Sequence, residues 1–430
     1  MKTVLLWRAS EHMKISLQNT AYYPWYIVAA SFIMLFFNSG SSYALGVMFK
    51  PIIREFGWSR SAVSLVFMVN MVVFALALTV VGKLYDRFGP KWIIIISALF
   101  LSVGFVLTSI VHTFGQFFFS YGLLAAAGPA GLGVPLASTV GSKWFEKWRG
   151  LALSISLAGA SIGAFILVPL LSVAATTYGW RSSFLFLGLI VLVIDSLLAI
   201  FVIKGDPRHL NMSPFGGRQV EPEQILTGTH SPSGEPASMG LRAAARTGSF
   251  WLFLIVMFVC GSGDFFATTH FINFATDYGV SSLTAGKMMG WFGLMSMVGV
   301  IITGPVADRI GSKIPIVVTF LLRFALYLFV LKYKSVSSLY VYALLFGFTQ
   351  LVTAPLAPML AGHLYGFGYI GILAGVINTV HFLGGGFWTY ATGLIFDKTG
   401  SYQLAFTLSA IMAMIAVMCA IFIVEKRHYY

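Results

Sequence analysis

The sequence predicts an all-α integral membrane protein whose chain crosses the bilayer twelve times. Of its 430 residues, 58% are hydrophobic and only 10% are charged. The apolar residues form runs of about 20, the length that crosses about 30 Å of hydrocarbon as a helix. Short polar segments between these runs hold most of the charges. Because no soluble fold needs so much apolar surface, we exclude secreted, fibrous and disordered proteins.

Twelve apolar runs are the predicted transmembrane helices. They begin near Pro24, Arg60, Trp92, Phe114, Arg149, Arg181, Ser249, Ser281, Ile314, Val336, Ile370 and Tyr402. The runs form two groups of six, residues 24–203 and residues 249–424, which we interpret as two helical bundles. Residues 1–23 contain too short an apolar patch for a signal-peptide core, so they and residues 425–430 are predicted tails.

Residues 204–248 form the one long hydrophilic stretch, and they are rich in Pro, Gly, Ser and Glu. This composition is typical of a linker, here between the two bundles. In its last part, residues 239–246, apolar and basic residues alternate at helical spacing. We therefore expect a short helix on the cytoplasmic membrane surface there.

The basic residues indicate the orientation of the chain. With the N-terminus in the cytoplasm, 18 of the 27 Lys and Arg residues lie on the cytoplasmic side and 8 on the other side, with Arg323 inside a helix. The positive-inside rule favours this arrangement, with both termini cytoplasmic in a cell (inner) membrane. The basic residues do not cluster with interleaved aromatic residues, so nucleic acid is excluded as a partner, and the lipid bilayer is the predicted surrounding.

A ten-residue motif occurs twice, after helix two and after helix eight, with a displacement of 222 residues. Its shared residues are Gly82, Asp86, Arg87, Gly89 and Lys91 in the first copy and Gly304, Asp308, Arg309, Gly311 and Lys313 in the second. The same displacement relates Gly57 and Ser59 to Gly279 and Ser281. Two six-helix repeats, parallel in the membrane and related by an axis along its normal, explain this pattern.

The motif and the twelve-helix pattern over residues 24–424 resemble the major facilitator superfamily. The segments Tyr23-Pro-Trp-Tyr26, Phe56-Gly-Trp-Ser-Arg60 and Arg246-Thr-Gly-Ser-Phe-Trp251 are similar to its monocarboxylate and oxalate/formate transporter branch. The resemblance implies two pseudo-symmetric bundles, a cavity lined by helices one, four, seven and ten, and a functional monomer. It also implies a cationic residue for the anion in helix eight or eleven, where this chain has Lys287 near the outer end of helix eight and His381 in helix eleven.

Asp264 is the predicted proton-coupling residue. It lies near the middle of helix seven, where Gly261 and Gly263 are expected to loosen the backbone beside it. An ionisable side chain in hydrocarbon costs several kcal/mol, so each one inside a span is a candidate functional residue. The alternative interpretation is a structural acid neutralised by a neighbour. Asp195 in helix six is interpreted as structural.

His381 and Arg323 are the predicted binding residues for the carboxylate of a substrate. Imidazole can donate a hydrogen bond or carry charge, and the planar guanidinium fits a carboxylate. Two alternatives stay open: His381 as a neutral core histidine, and Arg323 as the ion-pair partner of Asp264. Tyr43 and Tyr121 are predicted to line an aromatic cavity.

The repeated motif also predicts a gate at the cytoplasmic ends of the helices. Asp86 would face the positive N-terminus of helix eleven, and Asp308 would face that of helix five near Arg149. Gly82 would allow close helix approach. The predicted gate comprises Gly82, Asp86, Arg87, Gly89, Arg149, Asp308 and Arg309. The alternative is a solvated loop that only sets topology.

These features predict a secondary active transporter, not an enzyme, that moves a small organic anion, a monocarboxylate, by alternating access and symport with a proton. The sequence has no nucleotide-binding loop, and Cys260 and Cys419 are isolated in apolar runs, so neither a cofactor nor a metal site is predicted. Alternatives are an organic anion exchanger and a non-transporting sensor of the same fold. A more remote one is an intramembrane aspartyl protease, because Gly261-Ser-Gly-Asp264 matches a Gly-x-Gly-Asp signature that Asp195 could complete.

Overall fold

The structure is a computed structural model that describes residues 22–207, 212–216, 239–366 and 369–424, without the side chains of Asp86, Arg149, Asp308 and Ile370. Twelve helices in these ranges are long and apolar enough to cross a membrane. They are α1 (Tyr23–Phe56), α2 (Arg60–Tyr85), α3 (Arg87–Ser109), α4 (Phe114–Trp144), α5 (Gly150–Thr177), α6 (Gly179–Val202), α7 (Gly248–Asp277), α8 (Ser282–Ala307), α9 (Lys313–Lys332), α10 (Val336–Tyr365), α11 (Gly371–Thr399) and α12 (Gln403–Phe422). The predicted all-α membrane fold is confirmed.

The predicted helix starts lie within two residues of the observed ones, except at α3. That helix begins at Arg87 rather than near Trp92, because helical hydrogen bonding continues through the loop that follows α2. The chain turns instead at Gly89, whose φ of 72° and ψ of 174° are not helical. Gly311 in the second copy has nearly the same angles, 82° and 168°. A positive φ favours glycine, which explains why both copies of the motif carry one there.

The repeat also extends to the first turns of α2 and α8. Ser59 accepts a hydrogen bond from the backbone of Ala62, and Ser281 accepts one from Thr284. Each serine thereby satisfies a backbone N–H group that has no partner within its helix. The two halves therefore begin these helices by the same local chemistry.

Helix α4 is irregular in its middle. It contains a π-helical stretch at Phe118–Leu124 and short 3-10 turns before regular helix resumes at Val134. Asn38 of α1 donates a hydrogen bond to the carbonyl of Leu132 at 3.1 Å. This bond pairs a buried carbonyl where the helix is broken, as the interior of a membrane protein requires.

The helices form two bundles, α1–α6 and α7–α12. Within the first, α1 packs on α5 and α3 on α6; within the second, α7 packs on α11 and α9 on α12. The bundles meet along α2 with α11, α5 with α8, and α1 with α7. The site described below lies in the second bundle, on α7, α9 and α11.

The bundles contact each other at one end, which we call the sealed end: the end with the loops at residues 57–59, 278–281 and 400–402. There Gly286 and Gly290 of α8 pack on α5, and Gly393 of α11 packs on Ser61 of α2. At the opposite end, the open end, a Cβ atom on Gly82, Gly150, Gly304, Gly371 or Gly375 would have no atom of the described residues within 4 Å. Among the described residues, the motif glycines Gly82 and Gly304 therefore make no close helix contact in this conformation.

The described part of the linker packs at the open end. Phe215 hydrogen-bonds with the backbone of Trp144 and Glu146, and so follows the end of α4. A single helical turn, Leu241–Ala244, precedes α7 where a surface helix was predicted. Ala244 is buried against Phe250 of α7. Contact of this turn with the membrane surface stays a prediction.

Candidate functional site

An ion pair is buried in the second bundle. The Arg323 Nη2 atom of α9 lies 2.7 Å from Asp264 Oδ1 of α7, and their side chains are 1% and 8% exposed. A charged side chain buried in a membrane protein requires a partner of opposite charge, and here Asp264 and Arg323 are each other's partners. The pairing that was one of two possibilities for Arg323 is the one that the structure contains.

The guanidinium of Arg323 is fully coordinated. Its Nε donates to Thr349 Oγ1 at 3.0 Å, and its Nη2 donates to the Thr349 carbonyl at 2.9 Å as well as to Asp264. Its Nη1 donates to the carbonyl of Cys260 at 3.3 Å. Arg323 thus joins α9 to α7 and α10, and in this conformation it presents no free N–H group to a substrate.

The two glycines before Asp264 serve packing rather than loosening. Helix α7 is regular at this point, which corrects the expectation of a relaxed backbone. A Cβ atom on Gly261 would collide with the carbonyl of His381, and one on Gly263 would lie 2.8 Å from the Tyr327 hydroxyl and 3.3 Å from Arg323 Nη1. Gly261 therefore lets α11 approach α7, and Gly263 leaves room for the guanidinium.

The second carboxylate oxygen of Asp264 faces a different set of groups. His381 Nε2 of α11 lies 3.9 Å from Asp264 Oδ2, and the Cys260 thiol, one helical turn before Asp264, donates to the same oxygen at 3.5 Å. The His381 side chain is 16% exposed, more than either member of the ion pair. Asp264 thus lies between a fixed cation and a histidine that reaches the interior space.

The two predicted tyrosines have different surroundings. The Tyr43 hydroxyl of α1 donates to Gln350 Oε1 of α10 at 3.4 Å, which links the bundles. The ring of Tyr121 packs against Phe105, Phe117 and Phe184 in the core of the first bundle. It is therefore not part of the group around Asp264.

Two further ionisable residues within spans are fully buried away from the ion pair. Asp195 of α6 is fully buried, and within the described ranges neither of its carboxylate oxygens has a hydrogen-bond partner. His270 of α7 is fully buried between the Thr389 carbonyl at 3.0 Å and the Tyr402 hydroxyl at 3.1 Å.

An ionic network closes the sealed end, and sequence reasoning missed it. Asp397 of α11 accepts the backbone N–H groups of Arg60 at 3.0 Å and Ser61 at 2.8 Å. A carboxylate at a helix N-terminus is stabilised by the helix dipole. Here the carboxylate comes from the second bundle and the helix, α2, from the first.

The Arg60 side chain extends this network between the bundles. Its guanidinium lies 2.9 Å from Asp277 of α7, donates to the Tyr402 hydroxyl at 2.6 Å, and lies 3.5 Å above the ring of Phe396. Lys50 of α1 binds the same Asp277 at 2.6 Å. The only sequence signal was the position of these charges at the predicted helix ends.

We expect Asp397→Asn to weaken the sealed end, because it removes the charge and one of two accepting oxygens at the start of α2. A lost helix cap costs about 0.5–2 kcal/mol, enough for a shift of about twofold to about thirtyfold between conformations. Spin labels at exposed Tyr178 and Tyr333, one in each bundle, report the separation. The matched control is Glu55→Gln, whose partner Arg181 belongs to the same bundle. An equal effect of both variants on the distance distribution would contradict this role.

The gate predicted at the open end lies only partly within the described residues. The side chains of Asp86, Arg149 and Asp308 are outside them. Gly82, Arg87 and Arg309 are exposed there, and Gly89 forms the turn already described. The predicted contacts of Asp86 and Asp308 stay predictions.

Comparison with known proteins agrees with this architecture. The family model of the Major Facilitator Superfamily matches residues 31–389. The chain belongs to the Major Facilitator Superfamily. It is 25% identical over 397 residues to human monocarboxylate transporter 11, covering 90% of this chain and 79% of that one. It is 22% identical to rat monocarboxylate transporter 13, covering 90% of this chain and 85% of that one.

A bacterial relative and a solved structure extend the similarity. An uncharacterized MFS-type transporter of Bacillus subtilis (strain 168) is 24% identical, with 88% of this chain and 90% of that one covered. The crystal structure of a bacterial homolog of the human lysosomal transporter Spinster, in an inward-facing and occupied conformation, matches with a TM-score of 0.68. Its sequence identity is 15%, with 94% and 95% of the two chains covered, so the match concerns the fold.

These findings identify a multi-pass membrane protein of a transporter family and not an enzyme. The protease alternative required Asp195 and Asp264 to act as a pair. In the structure Asp264 binds Arg323, and Asp195 has no hydrogen-bond partner among the described residues. The Gly-x-Gly-Asp match is explained by helix packing at Gly261 and Gly263.

Proposed function

We propose that the protein carries a small organic anion, a monocarboxylate, across the membrane together with a proton. The observation that carries this proposal is the buried ion pair of Asp264 and Arg323, with His381 on its exposed side. The names of the relatives, monocarboxylate transporters, support the substrate class. Asp264 is the proposed proton carrier.

The ion pair couples the proton to the anion through charge balance. Asp264 and Arg323 together are neutral, so the empty site has no net charge to offset. A proton on Asp264 leaves Arg323 as a buried cation, and arginine does not release its own proton. An uncompensated buried charge is costly, and a carboxylate entering beside it offsets that cost. Proton and anion therefore favour each other's binding.

His381 and Tyr43 are the proposed first contacts of the anion. His381 is partly exposed, and its Nδ1 atom has no hydrogen-bond partner within the described residues, so its imidazole is available to a carboxylate. Tyr43 of α1 and Gln350 of α10 link the two bundles by a hydrogen bond and would separate as the sealed end opens. Arg323 would contact the anion only after Asp264 is protonated. We do not propose Tyr121 as a contact of the anion, because its ring packs among other aromatic rings.

In alternating access, the sealed end would open and the open end would close. The network of Arg60, Asp277 and Asp397 would open as Asp86 and Asp308 approach the ends of helices α11 and α5. We propose that the open end is cytoplasmic, since most basic residues lie there. Both termini would then be cytoplasmic, and the monomer, with bundles at residues 24–203 and 249–424, would be the functional unit.

The open-end gate predicts a rate effect for Asp86→Asn. Loss of the charge removes its attraction to the N-terminus of α11, worth about 0.3–1 kcal/mol for an exposed site. Transport should slow several-fold while binding from the open end is largely retained. Uptake rates and equilibrium binding, measured on the same preparation, separate the two. Transport at the wild-type rate would remove the support for this gate.

Uptake into proteoliposomes under an imposed pH gradient tests the proposed function. A panel of small monocarboxylates should include one that accumulates about tenfold per pH unit, the ratio that 1.4 kcal/mol of proton free energy sustains. Uptake that requires an anion inside the vesicle would instead indicate an exchanger. No flux with measurable binding would indicate a sensor. Transport of neutral or cationic compounds alone would overturn the anion assignment.

A further inference from the structure

Three potential metal ligands converge beside the ion pair. One ligand atom each from Cys260, Asp264 and His381 lies within 4.8 Å of the other two. Cys260 and Asp264 are four residues apart on α7, so they share a helix face. His381 joins them from α11, where the missing side chain of Gly261 permits close approach. The sequence separates Cys260 and His381 by more than a hundred residues and so predicted no such group.

We propose that Cys260, Asp264 and His381 bind a divalent cation of the zinc type. Thiolate, imidazole and carboxylate are the ligands that zinc prefers, at about 2.0–2.3 Å, which puts neighbouring ligands about 3.3–3.8 Å apart in a tetrahedral site. The Sγ to Oδ2 distance is 3.5 Å and the Oδ2 to Nε2 distance is 3.9 Å, and the three ligand atoms lie within 4.8 Å of one another, so a closure of up to about 1 Å is required. The fourth position would take water or an anion.

Hydrogen bonding within the described part of the chain leaves one ring nitrogen of His381 unpartnered, whereas Cys260 Sγ already lies 3.1 Å from Thr353 Oγ1 and 3.8 Å from Arg323 Nη1, contacts that a bound metal ion would replace. The buried Nδ1 atom of His381 has no partner among the described residues, and Nε2 is beyond hydrogen-bond distance of Asp264. Buried polar atoms without partners are uncommon in folded proteins. Arg323 occupies only Oδ1 of Asp264, which leaves Oδ2 facing Cys260 and His381.

The charges of the site set the conditions for binding. Arg323 repels an incoming cation, and the thiolate of Cys260 offsets that repulsion once its proton is displaced. Each metal ion bound therefore releases a proton from the thiol as the metal–sulfur bond forms. A bound ion would bridge α7 to α11 and occupy Asp264. The expectation that a bound ion stops transport rests on the proposed function. The expectation that the ion binds does not.

Cobalt(II) is the probe that tests the site, since a thiolate ligand gives it a charge-transfer absorption band. Purified wild-type protein should show this band with a single cobalt ion per chain, and zinc should displace it. The chain has two cysteines, so Cys419→Ser is the matched control and should retain the band. Cys260→Ser should abolish it, with Cys260→Ala as a second variant, and His381→Ala should weaken cobalt binding at least tenfold.

A band that persists in both Cys260 variants would overturn the proposal, as would its absence from the wild type at millimolar cobalt. Zinc inhibition of uptake, each variant normalised to its own rate without metal, is measured separately. Metal binding without anion transport would refute the proposed function and leave the site intact. Anion transport without metal binding would refute the site alone.

Discussion

Asp264→Asn is expected to be the most destabilising single substitution in the ion-pair site. It leaves Arg323 buried without a counter-ion, and breaking a buried pair from one side costs about 3–5 kcal/mol. Arg323→Gln should cost less, since the remaining carboxyl of Asp264 can take up a proton, whereas arginine cannot lose one. Thermal unfolding of purified variants in nanodiscs measures the difference.

The double variant Asp264→Asn/Arg323→Gln provides the decisive comparison. With both charges removed, most of the lost stability should return, because no charge is left buried alone. Asp195→Asn is the matched control for the acid, since Asp195 is equally buried but has no hydrogen-bond partner in the described part of the chain. Lys287→Gln, at an exposed position of α8, is the control for removing a basic residue. A double variant as unstable as the sum of its parts would contradict the pairing energetics.

Asp264→Asn is also expected to abolish accumulation driven by a pH gradient while exchange of preloaded anion continues. Asparagine resembles the protonated acid, so the site accepts the anion but no longer couples it to a proton. The accumulation ratio should fall from about tenfold per pH unit to unity. The transported anion should raise the melting temperature of this variant more than that of the wild type, because it replaces the missing charge beside Arg323.

His381→Ala separates binding from coupling. It should weaken anion binding, seen as a higher half-saturating concentration, while the pH gradient still drives accumulation.

Unaltered pH-driven accumulation in Asp264→Asn would eliminate Asp264 as the proton carrier. Asp195→Asn should leave accumulation unchanged, which distinguishes the loss of this acid from the loss of any buried acid.

The spans and the repeat were predictable from the sequence for a simple reason. A membrane helix is recognised by the length and hydrophobicity of a local run, so the starts of α2, α4 and α10 agree with the structure to the residue. The repeated glycines Gly89 and Gly311 likewise report a local property, a positive φ angle. The turn between α2 and α3, at Gly89, lies three residues before the predicted start near Trp92.

The candidate site was predictable in its members but not in its geometry. The cost of charge in hydrocarbon singled out Asp264, Arg323 and His381 one by one. Only the packing of α9 on α7 and α10 determines that Arg323 uses all its donors on Thr349, Cys260 and Asp264. Charges at helix ends, such as Arg60 and Asp397, carry no such cost, so their position alone did not single them out.

The sequence by itself determined the twelve spans, the two related halves and the family, because each depends on local hydrophobicity or on a motif read along the chain. The tertiary structure alone decided which charges meet: Asp264 with Arg323 inside one bundle, and Asp397 with the start of α2 between the bundles. An ion pair depends on the rotation and register of helices far apart in the chain. Those are set by close packing at residues such as Gly261 and Gly393, and no local pattern encodes them.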